Sequence, residues 1–374
     1  MPSTARFAAG ADQVRRQLAF ATARRFARAS GPVTIARLSD DDLPRVDDTR
    51  PPWPGTRVVA GGAQLYVRRI PSTGTDPEPA LYVHGLAGSS TNWTDFAAAL
   101  TPWLDADAVD LPGFGRSGPA PDNDYSIPAF ARVLIAYLDD RRRGPVHLFG
   151  NSMGGAIALR IAAERPDLVR TLTLVSPSVP DLRLHRPGID ASLAFLLVPG
   201  ARPVVERRLA AMSPQTRARA MIELCFADPG RVPAHRLAEA AVDVRERLYL
   251  PWAIDAFTGS LRGLVRHYVG VGTHSPWQLM TRVAAPTLIV WGTEDKLVDV
   301  GLAPRVARSI PNSRLLVLPD TGHVAQLEDP LVTARAFLAL RADARREEST
   351  REDTQRDDRI PAPVPATGGD RVGI

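Results

Sequence analysis

The residues best equipped for chemistry lie in Val146-His147-Leu148-Phe149-Gly150-Asn151-Ser152-Met153-Gly154-Gly155. A Gly-x-Ser-x-Gly pattern that follows an apolar run and opens a helical stretch is the context of a nucleophile elbow, in which the serine is pushed out on a tight, strained turn. Gly150 and Gly154 must be small because such a turn brings neighbouring backbones together, and Gly155 lets the helix approach the sheet. A serine hydroxyl is a weak nucleophile and needs a base. Of the seven histidines, His323 stands in Leu318-Pro319-Asp320-Thr321-Gly322-His323, just after the last apolar run. A loop there can carry an imidazole over a sheet edge, and the chain order Ser…Asp…His puts the base last. His323 should therefore lie within hydrogen-bond reach of Ser152. The orienting acid should follow the preceding run, in Trp291-Gly292-Thr293-Glu294-Asp295-Lys296. Asp295 is the choice; Glu294 points more naturally to solvent, and Asp181, after an earlier run, is the outside candidate. Acyl chemistry also needs donors for a developing oxyanion. The Met153 N–H, after the nucleophile, is one. The Leu86 N–H, in His84-Gly85-Leu86-Ala87-Gly88, is the other, with His84 bracing that loop and not reacting.

These residues need a frame that brings loop ends together. Short apolar runs at Arg57–Val59, Leu65–Arg69, Ala80–Val83, Ala106–Asp110, Val146–Phe149, Thr171–Val175, Thr287–Val290 and Arg314–Val317 are strand candidates. Several are continuously apolar, as in parallel strands covered on both faces. Helical stretches such as Ile127–Arg142 and Met153–Glu164 separate the middle ones, which is βαβ order and predicts an α/β fold with a mainly parallel sheet. Between 178 and 282 the strand rhythm stops and only proline-broken helical segments remain, so this segment is expected to be a helical cap. Its apolar run Leu193–Val198 suits either cap core or an acyl-chain wall.

The ends differ from this body. Residues 5–29 read as an alanine- and arginine-rich helix with Phe7, Ala11, Val14, Leu18 and Ala21 at helical spacing. It carries no continuous apolar centre of a signal peptide. Residues 32–55 hold five prolines and read as a linker. Residues 341–374 carry fifteen charges in 34 positions and are expected to be disordered after a last helical turn or two.

Composition narrows the function classes. Of 374 residues, 44% are apolar and 23% charged, and no run approaches a membrane span. The single cysteine, Cys225, excludes an internal disulfide framework, and a cytoplasmic setting fits. The formal net charge of +5 suggests nucleic acid, but residues 1–30 hold the excess (six arginines against Asp12), leaving the body near neutral. The basic helix has two readings: docking on the body, or peripheral contact with an anionic membrane. No histidine pair has metal-ligand spacing, and Gly113-Phe114-Gly115 lacks the strand–helix unit of a dinucleotide site.

Four motifs in order resemble the α/β-hydrolase superfamily, in its capped branch: His84-Gly85-Leu86-Ala87-Gly88 with Trp93; Asp110-Leu111-Pro112-Gly113-Phe114-Gly115-Arg116-Ser117; Gly150–Gly155; and Trp291–Asp295 with Gly322-His323. The likeness covers roughly residues 55–340. It implies an eight-stranded, mainly parallel sheet in a core of 56–177 and 283–340, a cap at 178–282, a Ser152–Asp295–His323 triad and an oxyanion hole at Leu86 and Met153. Epoxide hydrolases and haloalkane dehalogenases carry aspartate where this chain has Ser152, which argues against both. The elbow is similar to that of C–C bond hydrolases acting on ring-cleavage products, but those tend to have tryptophan after the histidine, where Val324 stands here. Cofactor-free hydrolysis of a small carboxylic ester is the leading expectation. C–C hydrolysis comes second, then thioesterase, lactonase or haloperoxidase-like activity, and a non-catalytic binding module last.

Overall fold

The structure, a computed structural model, describes residues 3–30, 32–47, 49–181, 203–204, 207 and 211–357. All eight apolar runs form strands: β1 (Gly55–Ala60), β2 (Ala63–Ile70), β3 (Glu78–Val83), β4 (Leu104–Asp110), β5 (Val146–Asn151), β6 (Val169–Val175), β7 (Thr287–Gly292) and β8 (Ser313–Leu318). They make one sheet in the order β1-β2-β4-β3-β5-β6-β7-β8. β2 runs antiparallel to both neighbours, and every other pairing is parallel. The crossovers between parallel strands need helices, and those helices cover both faces.

The helices are α1 (Ser3–Ser30), α2 (Thr94–Leu100), α3 (Ile127–Arg141), α4 (Met153–Glu164), α5 (Pro214–Cys225), α6 (Ala234–Leu248), α7 (Ala253–Tyr268), α8 (Pro276–Thr281), α9 (Ala303–Ser309), α10 (Ala325–Glu328) and α11 (Pro330–Asp357). Local signals set several boundaries. Ser126 caps α3 by accepting from Ala129 N–H, and Arg142 ends it in a left-handed conformation. Ser213 caps α5 in the same way, with Pro214 in the first turn. On one sheet face, α3 and α4 bury Phe130, Leu134, Ile157 and Ile161. On the other, Trp93, Phe96, Tyr82, Phe149 and Phe337 form an aromatic cluster, with the Tyr82 and Trp93 rings stacked at 5.2 Å. Each such fully buried large side chain contributes about 2–3 kcal/mol.

Two expectations at the ends are corrected. The segment after α1 is no free linker: Leu315 N–H donates to Thr34 O and Ala36 N–H to Leu315 O, extending the β8 edge. Residues 341–357 are helical, not disordered, and body residues pair the charges of the first turns of this stretch. Arg341 and Arg345 bond to Glu78 at the start of β3, Asp343 pairs with Arg37 and Arg314, and Ala344 is buried. Residues 358–374 lie outside the described residues, as does Leu193–Val198.

The N-terminal helix docks on the body, against β8, α9 and α11. The buried side is an alanine face: Ala19 and Ala23 are fully buried and Phe26 packs on the core. Val14 and Leu18, on the apolar row read from helical spacing, are instead 54% and 48% exposed. Small residues let the helix approach closely, so here packing outranks hydrophobicity. Among the described residues no helix is long and apolar enough to cross a membrane.

Candidate active site

Because β3 and β5–β8 are parallel, their carboxyl ends share one sheet edge. There emerge the His84–Gly88 loop, Ser152, Ser178, Asp295 and His323. Ser152 sits between β5 and α4 at φ 54°, ψ −118°, a strained geometry for a residue with a side chain. Its N–H donates to Val175 O, and its carbonyl accepts from Ser178 and Ala156 N–H. The turn requires glycine beside it. A Cβ on Gly150 would lie 2.4 Å from Gly154 O, and one on Gly154 would lie 2.3 Å from Val83 O. Gly85 faces the elbow from the opposite loop.

His323 Nδ1 lies 2.9 Å from Asp295 Oδ2 and 3.0 Å from Oδ1. Asp295 is buried, and its Oδ1 also accepts from Leu297 and Val298 N–H. Burial alone would raise the Asp295 carboxyl, but the facing His323 and the two backbone donors hold it below the ordinary carboxylate value. The structure therefore brings Asp295 to the imidazole. Glu294 engages Thr321 only through its backbone N–H.

Ser152 and His323 line one cavity of about 440 Å³. Among the described residues Ser152 Oγ bonds to Ser178 Oγ, at 3.4 Å, and not to the imidazole. The Ser152–His323 hydrogen bond expected from the motif is thus not made here. Apo sites often leave this bond loose.

The Leu86 and Met153 N–H groups make no hydrogen bond among the described residues. His84 braces the loop. Leu111 N–H donates to its Nε2 at 2.9 Å, so Nδ1 carries the proton and donates to Gly85 O at 2.7 Å. Burial lowers its pKa to about 4, keeping the ring neutral.

Several neighbours escaped sequence reading. Asn151 Nδ2 donates to Val175 O and to His323 O, tying the strand before Ser152 to the His323 loop. Lys296, the lone lysine, donates to Glu223 O and Phe226 O, carbonyls left open at the end of α5. His323 N–H donates to Cys225 O at 2.7 Å, and Glu328 accepts from Ala227 and Gly322 N–H. The helical insert is thus bonded to the Asp295 and His323 loops. The described insert, α5 to α8, contains no strand and lines the cavity with Met221, Phe226, Phe257, Leu261 and Leu264. No group of three or more metal-ligating side chains occurs among the described residues.

Comparison with known proteins agrees with this architecture. An uncharacterised protein of Mycobacterium tuberculosis is 29% identical over 307 residues, covering 77% of this chain and 81% of that one. A 2-hydroxy-6-oxononadienedioate/2-hydroxy-6-oxononatrienedioate hydrolase of Klebsiella pneumoniae is 27% identical over 275 residues, 72% of this chain and 89% of its own. Among solved structures, a thermophilic esterase from Thermogutta terrifontis superposes with a TM-score of 0.59 at 21% identity, covering 78% of this chain and 99% of that chain. The family model described as alpha/beta hydrolase fold matches residues 79–330, and the chain belongs to that family.

Proposed function

We propose that this hydrolase cleaves carboxylic esters through an acyl-enzyme, with Ser152 as nucleophile, His323 as base and Asp295 as orienting acid. The observation that carries the reading is the strained Ser152 turn opening on the same cavity as an imidazole whose Nδ1 is held by a buried carboxylate. In the proposed cycle the Ser152 hydroxyl turns from Ser178 toward His323 Nε2 and loses its proton there as Oγ attacks the carbonyl carbon. Asp295 keeps the Nδ1–H tautomer and stabilises the imidazolium. The Leu86 and Met153 N–H groups receive the tetrahedral oxyanion. His323 then protonates the leaving alcohol, and water activated by the same ring releases the acid. Every step uses side chains or backbone of this chain, so no cofactor is invoked.

The apolar cavity wall and Val324 after the base favour an ester with a hydrophobic acyl part. C–C hydrolysis of a ring-cleavage product is the second reading, favoured by the Gly-Asn-Ser-Met-Gly-Gly elbow and the Klebsiella relative. The test is fluorophosphonate labelling, followed by turnover of p-nitrophenyl esters of graded chain length beside a ring-cleavage dienoate. Labelling lost in S152A, with ester turnover dominant, supports the proposal. A dominant dienoate rate replaces it with the second reading, and an unlabelled Ser152 returns the chain to a binding module. For α1, whose Val14 and Leu18 face outward beside arginines, contact with an anionic bilayer stays a secondary proposal. Co-sedimentation with phosphatidylglycerol vesicles tests it.

A further inference from the structure

Two charged residues one turn apart on α6 reach out of the insert onto the loop that carries Leu86. Arg247 Nη1 donates to Ala87 O at 2.6 Å, and Nη2 lies 3.4 Å from Gly88 O. Asp243 Oδ2 accepts from Ser89 Oγ at 3.1 Å and Thr91 Oγ1 at 3.2 Å. The loop needs such support. Ala87 holds φ 60°, a left-handed conformation that costs a residue with a side chain on the order of 1 kcal/mol. Glycines flank Leu86–Ala87, and the loop's own backbone contributes the Gly88 N–H to Gly85 O bond at 3.1 Å. The Leu86 N–H shares its peptide plane with Gly85 O, which accepts from His84 Nδ1–H and from Gly88 N–H, so a shift of the Ala87–Gly88 backbone reaches that plane through the Gly88 bond.

The guanidinium is well suited to this restraint. Its planar fork holds two successive carbonyls in one orientation, which a single ammonium cannot do. Its Nε is buried, so losing the carbonyl contacts would strand a charge away from water.

We infer that Arg247, seconded by Asp243, is a positioning residue that aims the Leu86 N–H at the developing oxyanion, so that the insert completes the oxyanion hole from outside the sheet. This rests on the proposed reading of Ser152 as an acyl-transfer nucleophile. A donor displaced from the oxyanion lowers transition-state stabilisation while leaving ground-state binding nearly intact, so the loss falls on kcat.

The test compares the full chain with R247M, R247K and E246Q. Glu246 also bonds α6 to the body, through exposed Arg116 at 3.2 and 3.3 Å, but does not touch the loop. It therefore controls for insert docking in general. Three readouts are taken: the fluorophosphonate labelling rate, kcat and KM on p-nitrophenyl acetate, and hydrogen exchange of residues 85–90. We expect R247M to slow labelling and kcat by about 10- to 100-fold, with KM within about 3-fold, and to speed exchange in the loop. R247K should recover part of the loss, and E246Q should match wild type. Unchanged labelling and exchange in R247M overturn the inference. So does a rise in KM alone, which would make Arg247 a substrate contact, or an equal loss in E246Q. Should R247M fail to fold, R247K decides by the same criteria. A wild type that is labelled but does not turn over esters refutes the ester reading alone, and labelling still judges Arg247. A wild type that is not labelled removes the nucleophile, and with it the inference.

Discussion

Replacing Asp295 by asparagine gives the sharpest test of the triad, because the structure fixes how the new amide must sit. Asp295 Oδ1 accepts from Leu297 and Val298 N–H, both at 2.9 Å, while Oδ2 faces His323 Nδ1, also at 2.9 Å. The asparagine of D295N can satisfy the two backbone donors only with its own carbonyl oxygen. Its NH₂ group must then take the place of Oδ2 and donate to Nδ1. An NH₂ at that position favours the neutral tautomer with its proton on Nε2, where it blocks acceptance of the Ser152 proton, although Oδ1, also 3.0 Å from Nδ1, remains an acceptor. The wrong tautomer in a Ser-His-Asp triad costs about 10⁴ in kcat, or about 5.4 kcal/mol. Fold stability should change much less, since both backbone bonds survive. D295A is the contrast: it strands two buried N–H groups at about 1–3 kcal/mol each and should melt well below D295N. The assay pairs kcat on p-nitrophenyl butyrate with thermal melting. D295N retaining more than about a tenth of wild-type kcat would remove Asp295 from the triad. D295A as stable as D295N would show that the backbone bonds contribute little. The depressed Asp295 pKa adds a pH expectation. Stability from its charge is present above the ordinary carboxylate range, near pH 4, and is lost only as pH falls through the lower native value. The acid thus stays ionised throughout a neutral assay.

G154A should cost about 1–3 kcal/mol and most of the activity, because the new Cβ meets backbone at Val83 O and His84 O, which differential scanning calorimetry and turnover will read together. The Cys225 thiol, pushed up to about 12 by burial and then by Asp295 and Glu328, should be about one part in 10⁴ thiolate at pH 8 and react slowly with a disulfide reagent until urea unfolds the chain. Equal rates in the folded and unfolded chain would contradict that environment. E78Q should destabilise by about 3 kcal/mol in urea titrations, since Glu78 joins Arg170, Arg341, Arg345 and His147 at the amino edge of the sheet. Burial would raise the Glu78 carboxyl, but the facing His147 imidazole and the arginines hold it far below the usual range. Its contribution is therefore full above about pH 4.5 and lost only in strong acid.

Which parts were legible before folding follows from the range of the forces involved. The eight strands could be read because a strand covered on both faces must be apolar along its length, a property of consecutive residues. The elbow could be read because backbone crowding at Gly150 and Gly154 and the strained φ of Ser152 arise within five residues. Parallel order then places the ends of β5, β7 and β8 at one edge, so Asp295 and His323 were nameable without coordinates. The tail was misread because composition counts the charges of residues 341–348 but not their partners. Arg341 and Arg345 become helical by meeting Glu78, more than 260 positions earlier. The docking face of α1 was misread for a related reason: spacing ranks residues by hydrophobicity, whereas close helix packing selected Ala19 and Ala23. Asn151, Lys296, Arg247 and Asp243 carry no local signature at all. Each acts on a carbonyl or hydroxyl supplied by a distant loop, and only the tertiary structure decides which polar groups meet. The sequence by itself determined the sheet, the elbow turn at Ser152 and the loops that carry Asp295 and His323 to the same edge. Tertiary contact decided what holds them, because a hydrogen bond between remote segments depends on both of its ends.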